Sequence, residues 1–268
     1  MCQLLGMNCN TPTDVMFSFA GFAQRGGRTD HHADGWGVAF FEGGRAGKHQ
    51  GLRHFVDHLP ACESPVAELV RRYPIKSENV IAHIRKATQG EVGLANCHPF
   101  VRELWGHYWV FAHNGDLQDF HPRLHGSFHP VGTTDSETAF CFMLQELAKS
   151  HAGMPSISEL TITLQELAKR IASHGTFNFL LSSGQALWAH ASTHLHYVER
   201  QHPFAHARLA DDDVAVNFAE LAQPQDRVAV VVTQPLTTDE AWTAFEPGSL
   251  LVFAAGRVIS ASGAANVR

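Results

Sequence analysis

Apolar and polar positions follow two periods along this chain. Four segments space their apolar residues as a helix face does: Thr13–Gln24, closed by Gly26 and Gly27; Ser64–Tyr73, stopped before Pro74; Asp135–Ser150; and Ser156–Ser173, ending near Gly175. Shorter runs rich in β-branched and aromatic residues, bounded by turn residues, predict strands. They fall at Gly37–Phe41, Val80–Ile84, Tyr108–His113, Phe177–Leu181 and Ala186–Ala189. Five more follow at His194–Val198, Val214–Asn217, Val228–Val232, Leu250–Phe253 and Val258–Ser260. Strands lie on both sides of a central helical pair and do not alternate with helices. That order predicts an α+β fold of largely antiparallel sheets covered by helices.

The chain has 268 residues and shows neither an internal repeat nor a low-complexity linker, so residues 2–268 are expected to form a single domain. A chain this long buries roughly 75% of its unfolded surface and needs no disulfide or metal staple. Net charge is −6 without a basic run, which argues against nucleic acid as a partner. The first basic residue is Arg25, so no signal peptide is expected, and the longest apolar runs are far too short to cross a bilayer. Five cysteines, Cys2, Cys9, Cys62, Cys97 and Cys141, contain no CxxC pair and point to reduced thiols in the cytoplasm. Nineteen histidines scatter through loops such as DHHADG (30–35) without ligand spacing, so no metal and no cofactor is expected.

Four stretches carry candidate chemistry. In MCQLLG, Cys2 follows only the initiator methionine. Removal of Met1 would give Cys2 a free α-amine, with a reference pKa of about 7.7–8.0, beside its own thiol. The alternative is a lone cysteine in a first strand. Leu4 and Leu5 indicate a terminus tied into the core. In HIRKATQG, Arg85 ends an apolar strand and offers a fork matched to a carboxylate, with Thr88 three residues on. A solvated salt bridge would use the same residue. In WVFAHNGDL, Asn114-Gly115 either makes a hairpin turn or ends the strand with two donors aimed at one point. Such a pair forms an oxyanion hole, worth about 3–4 kcal/mol per donor in acyl transfer. The following DLQDFHPRLHG does not alternate, which disfavours the hairpin. In GTTDSETAF, Thr134 and Glu137 fit a capping box, and Asp135 either favours the helix dipole or pairs with a cationic substrate group. Together these residues complement a free α-amino acid with an amide side chain, and glutamine fits.

The stretches MCQLLG, DGWGVAFFE, HIRKATQGEV, NCHPFVRELWG, HNGDL and GTTDSETAF resemble those of the class II glutamine amidotransferases, whose nucleophile is an N-terminal cysteine. The tail VVTQPLTTDEAW is similar to that of the stand-alone bacterial subgroup. The resemblance implies the four-layer α/β/β/α sandwich of the N-terminal nucleophile hydrolases. It implies Cys2 as nucleophile, Asn114 and Gly115 as oxyanion hole, Arg85 with Thr88 at the substrate carboxylate, and Asp135 at its ammonium. Lys86 and Gln89 depart from the aromatic and the histidine of sugar-isomerase-linked members. The implied reaction releases ammonia from glutamine through a Cys2 thioester. No acceptor domain is left over in the chain, so a separate ammonia-accepting synthase subunit is a possible partner. Two alternatives stay open: a γ-glutamyl amidohydrolase acting on a small metabolite, and a non-catalytic subunit that binds glutamine.

Overall fold

The computed structural model describes residues 2–43, 51–88 and 90–262. Met1 and Gln89, on which two of the expectations above rest, lie outside the described residues. The first half of the chain runs β1 (Gln3–Thr13), α1 (Met16–Gln24), β2 (Trp36–Glu42), β3 (Gly51–Asp57), α2 (Pro65–Arg72), β4 (Ser77–Ile84), β5 (Phe100–Leu104), β6 (His107–Leu117) and α3 (Asp135–Ser150). The second half runs α4 (Ile157–Ala172), β7 (Gly175–Ser182), β8 (Leu187–Ala191), β9 (His196–Gln201), β10 (His206–Arg208) and β11 (Ala215–Asn217). It ends with α5 (Phe218–Leu221), β12 (Arg227–Val232), β13 (Thr243–Ala244), β14 (Ser249–Ala254) and β15 (Arg257–Ser262).

Two antiparallel sheets stack face to face. One has the order β13-β9-β12-β1-β4-β2-β3, the other β15-β14-β8-β7-β6-β5. Strand alternation decides which side each residue serves. In β1, Leu4 faces the other sheet and packs with Ile81, Val110, Leu180 and Ala189. Leu5, Met7 and Cys9 face the opposite way, onto Phe19 and Phe22 of α1 and Val70 of α2. In β6, Val110 and Ala112 fill the space between the sheets, while Trp109 and Phe111 meet Phe140 and Leu144 of α3 and Leu164 of α4. The result is the four-layer α/β/β/α sandwich, with one apolar core between the sheets and one under each helical layer. The sheets approach closely at Gly6, where an added Cβ would lie 2.9 Å from a Leu187 methyl.

This arrangement places β1, and with it residue 2, in the middle of a sheet between β12 and β4. The pairing of Gln3 with Ile84 fixes the start of the chain beside the end of β4. The structure also corrects several boundaries. Thr13 ends β1 by pairing with Ser77, and α1 starts only at Met16. β6 does not end at Asn114-Gly115. It continues to Leu117 because β7 pairs with it throughout, Asn114 opposite Asn178 and Leu117 opposite Gly175. The Asn-Gly therefore makes no hairpin turn.

Candidate active site

Four chain segments converge at one end of the sandwich: the start of β1, the turn after β4, the end of β6 and the first turn of α3. Cys2, half-buried, is fastened to the turn through its sulfur. Sγ accepts from the Lys86 backbone N–H at 3.3 Å and lies 3.4 Å from the Lys86 carbonyl. Burial pushes the Cys2 thiol above its ordinary value, opposed by the Lys86 N–H and the nearby Arg85 guanidinium. A thiol held this way is neutral at rest and needs a base to become a nucleophile.

The turn itself is braced on both sides. The Arg85 N–H donates to the Gly35 carbonyl at 2.8 Å, and the Ala87 N–H donates to the Asp34 carboxylate at 2.8 Å. The Arg85 side chain is buried, and its guanidinium donates to the carbonyls of Gly90 and Glu91 at 3.2 and 3.1 Å. Those contacts fix the direction of the fork before any substrate arrives. Thr88 is exposed in the same turn.

Asp135 opens α3, capped by Thr134, whose hydroxyl accepts from the Glu137 N–H. One Asp135 oxygen accepts from the Leu117 N–H at 2.9 Å, which ties the helix start to the end of β6. Beside it, the Ser136 hydroxyl lies 2.8 Å from His113 Nδ1, and His113 Nε2 lies 3.0 Å from the Thr176 carbonyl. Burial holds His113 below its ordinary value against the pull of Asp135, so the neutral ring donates from Nε2 and accepts from Ser136. Gly115 can only be glycine here: an added Cβ would sit 1.8 Å from the Thr176 carbonyl oxygen.

Cys2, Arg85, Thr88, Gly115 and Asp135 line one cavity of about 280 Å³ including its open mouth, with His98, His113 and Ser136 in its wall. Of the six residues expected from the sequence, five meet there. Asn114 is the sixth; its side chain is fully buried and its Nδ2 lies 3.2 Å from the Thr233 hydroxyl, behind Gly115. Thr233 was not singled out in the sequence. It follows β12, and its Oγ1 accepts from the Leu4 N–H at 3.0 Å, so one hydroxyl touches both β1 and Asn114. The only sequence signal for it was its place at the end of an apolar strand, in VVTQP. A second cavity, of about 470 Å³ including its open mouth, shares Cys2 and Lys86 and is lined otherwise by Gln3, Asp30, His32, His194, Thr233 and Gln234. Among the described residues, no group of three metal-ligating side chains is assembled.

Residues 1–267 match the family model of the class II glutamine amidotransferases. The chain belongs to this family. A Haemophilus influenzae protein provisionally named a glutamine amidotransferase is 50% identical over 97% of this chain and 86% of its own length. The Escherichia coli protein YafJ, named with the same reservation, is 47% identical over 96% of this chain and 98% of its own. Among solved structures, a Pseudomonas aeruginosa chain described as a glutamine amidotransferase superposes with a TM-score of 0.77. It is 42% identical, over 97% of this chain and 100% of that one. A Silicibacter pomeroyi class II domain protein, only 19% identical with a TM-score of 0.55, shares the fold. This amidotransferase fold is that of the N-terminal nucleophile hydrolases.

Proposed function

We propose that this chain hydrolyses the side-chain amide of free glutamine through a thioester on Cys2. The observation that carries this reading is the single cavity lined by a thiol, a buried guanidinium and a helix-capping carboxylate. An α-amino acid has a carboxylate for Arg85 and an ammonium for Asp135, and a side chain that extends from them toward the sulfur. In the mature chain, starting at Cys2, the α-amine takes the thiol proton. The thiolate adds to the amide carbon, and the oxyanion is held by the Gly115 N–H and the Asn114 side chain. The C–N bond breaks as the α-ammonium gives its proton to the departing nitrogen, releasing ammonia. Water then cleaves the thioester, which yields glutamate and restores the thiol.

Ammonia is released or passed to a separate synthase. The five thiols, all free, fit the reducing cytoplasm as the working compartment. Among the described residues no helix is long and apolar enough to cross a membrane.

The test is a glutaminase assay paired with intact mass, so that each preparation is known to begin at Cys2. Cys2→Ala is expected to lower kcat by about 10⁴-fold or more. Arg85→Lys keeps the charge but loses the fork, and is expected to raise KM about tenfold with a smaller change in kcat. Full amidase activity in Cys2→Ala would end the proposal.

A further inference from the structure

The cavity on the other side of Cys2 is larger than the reaction above requires. The two cavities share Cys2 and Lys86 and no other lining residue. With the glutamyl half in the first and its carbonyl carbon at the sulfur, the second cavity, which shares Cys2, lies next to the departing nitrogen. Ammonia is about the size of water, whose share of liquid volume is about 30 Å³. The second cavity, at about 470 Å³ with its mouth, is many times that.

Its inner wall is rich in acceptors. Gln3 is 2% exposed, and its Oε1 has no hydrogen-bond partner among the described residues. A buried acceptor left this way costs about 1–3 kcal/mol unless something donates to it. Beside it stands Asp30. One carboxylate oxygen accepts from the His31 N–H at 2.7 Å; the other lies 2.8 Å from His32 Nδ1 and 3.4 Å from Gln3 Nε2. His194 and Lys86 are exposed and stand at the rim. Asp30 is the one carboxylate of this lining, partly exposed and so open to a cation that enters the cavity.

We propose that this second cavity is a leaving-group subsite, and that it takes the amine half of N-substituted γ-glutamyl amides whose substituent ends in an amino group. The inference rests on the thioester reading and names the substrate class of the same site. The chemistry balances as for glutamine. The Sγ–C bond forms and the C–N bond breaks, and the Cys2 α-ammonium protonates the departing amine. That amine leaves through the second cavity, and water then cleaves the thioester to free the thiol. The amino terminus of the substituent donates to Gln3 Oε1 and to the Asp30 carboxylate.

The experiment compares kcat/KM of the full chain, verified by mass to begin at Cys2, on four substrates. These are glutamine and the N-(2-aminoethyl), N-propyl and N-carboxymethyl amides of γ-glutamate. The aminoethyl amide is expected to exceed the near-isosteric propyl amide by about tenfold, the worth of one charge-assisted hydrogen bond. Asp30→Asn is expected to bring that preference to within about twofold, and Gln3→Leu, which removes the other acceptor, to reduce it separately. Turnover of glutamine with none of the substituted amides overturns the subsite. So does preference for the propyl or carboxymethyl amide, or a preference that survives both substitutions. Failure to cleave any of the four would instead overturn the thioester reading beneath it.

Discussion

Asn114 depends on a hydroxyl 119 positions away in the chain. Its Oδ1 is buried without a partner among the described residues, while its Nδ2 faces Thr233 Oγ1. Thr233 already accepts from the Leu4 N–H, which leaves its own O–H as a donor. An amide turned by 180° satisfies both groups: Thr233 donates to Oδ1, and Nδ2 is released on the opposite side. That orientation turns a structural amide into a free N–H donor next to Gly115. In the proposed mechanism Thr233 is thus a positioning residue, and Thr233→Val, which keeps the shape and removes the O–H, tests it. Steady-state kinetics are expected to show kcat falling about 10- to 100-fold with KM nearly unchanged, since in the proposed mechanism the donor acts on the oxyanion and not on the ground state. Equal loss in Thr233→Val and Thr233→Ser would contradict this, because serine retains the hydroxyl. The sequence puts Thr233 at the end of an apolar strand but does not pair it with Asn114; the contact exists only because β12 and β6 belong to different sheets that meet beside the start of β1.

The first turn of α3 shows what a sequence motif does and does not reveal about an element. Four consecutive residues have four separate tasks: Thr134 caps, Asp135 holds the Leu117 N–H, Ser136 holds His113, and Glu137 reaches outward. The Thr134 and Glu137 spacing fits a capping box, and half of it forms. The Glu137 carboxylate does not return to the cap. It pairs with Arg102 on β5 and accepts from the Val131 and Gly132 N–H groups at 3.0 and 2.7 Å, stitching the preceding loop against the helix start. The complete box is on α4, between Ser156 and Glu159. Glu137 is nearly fully buried and Arg102 is partly exposed, so the pair is worth less than a fully buried one. Glu137→Ala is expected to cost about 2–3 kcal/mol in urea unfolding, discounting for that exposure. Because Asp135 hangs from the same turn, KM for glutamine is expected to rise about threefold to tenfold, with kcat less affected. A stability loss without any rise in KM would separate Glu137 from the site.

Across the whole molecule, most strands legible in the sequence are interior ones and most of those missed lie at margins; the exceptions include the edge strand β15, legible at Val258–Ser260, and the central strand β1, which the sequence offers only as the alternative reading of Cys2. β2, β4, β7, β12 and β14 are apolar on both faces and read as continuous runs. β3 (GLRHFVD) and β5 (FVREL) are edge strands with one partner each, so polar residues interrupt them, and only the register of β2 and β6 makes them strands. The histidines were equally opaque: as a composition they suggested scatter, yet several are packed inside the sandwich. His83 and His98 pack with ring centroids 4.2 Å apart and planes tilted by 33°, and His83 Nε2 lies 3.1 Å from the His113 carbonyl. Burial depresses all three, His83 to about 3 and His98 well below its ordinary value, and the nearby Arg85 cation adds to the effect on both. Between about pH 3 and 6.5 the unfolded chain carries a proton on His83 that the folded chain refuses. Stability therefore rises with pH through that window, is fully present above 6.5, and is lost as pH falls toward 3. Each histidine kept neutral adds a slope of about 1.4 kcal/mol per pH unit. Urea midpoints measured from pH 7.5 down to 4.5 are expected to hold level at first and then drop steeply below about 6.5. His98→Asn, which removes one such group, is expected to flatten the acid limb by about one proton's worth of slope, even if it lowers stability at pH 7.5. An acid limb unchanged in slope would mean that these buried rings accept protons inside the fold.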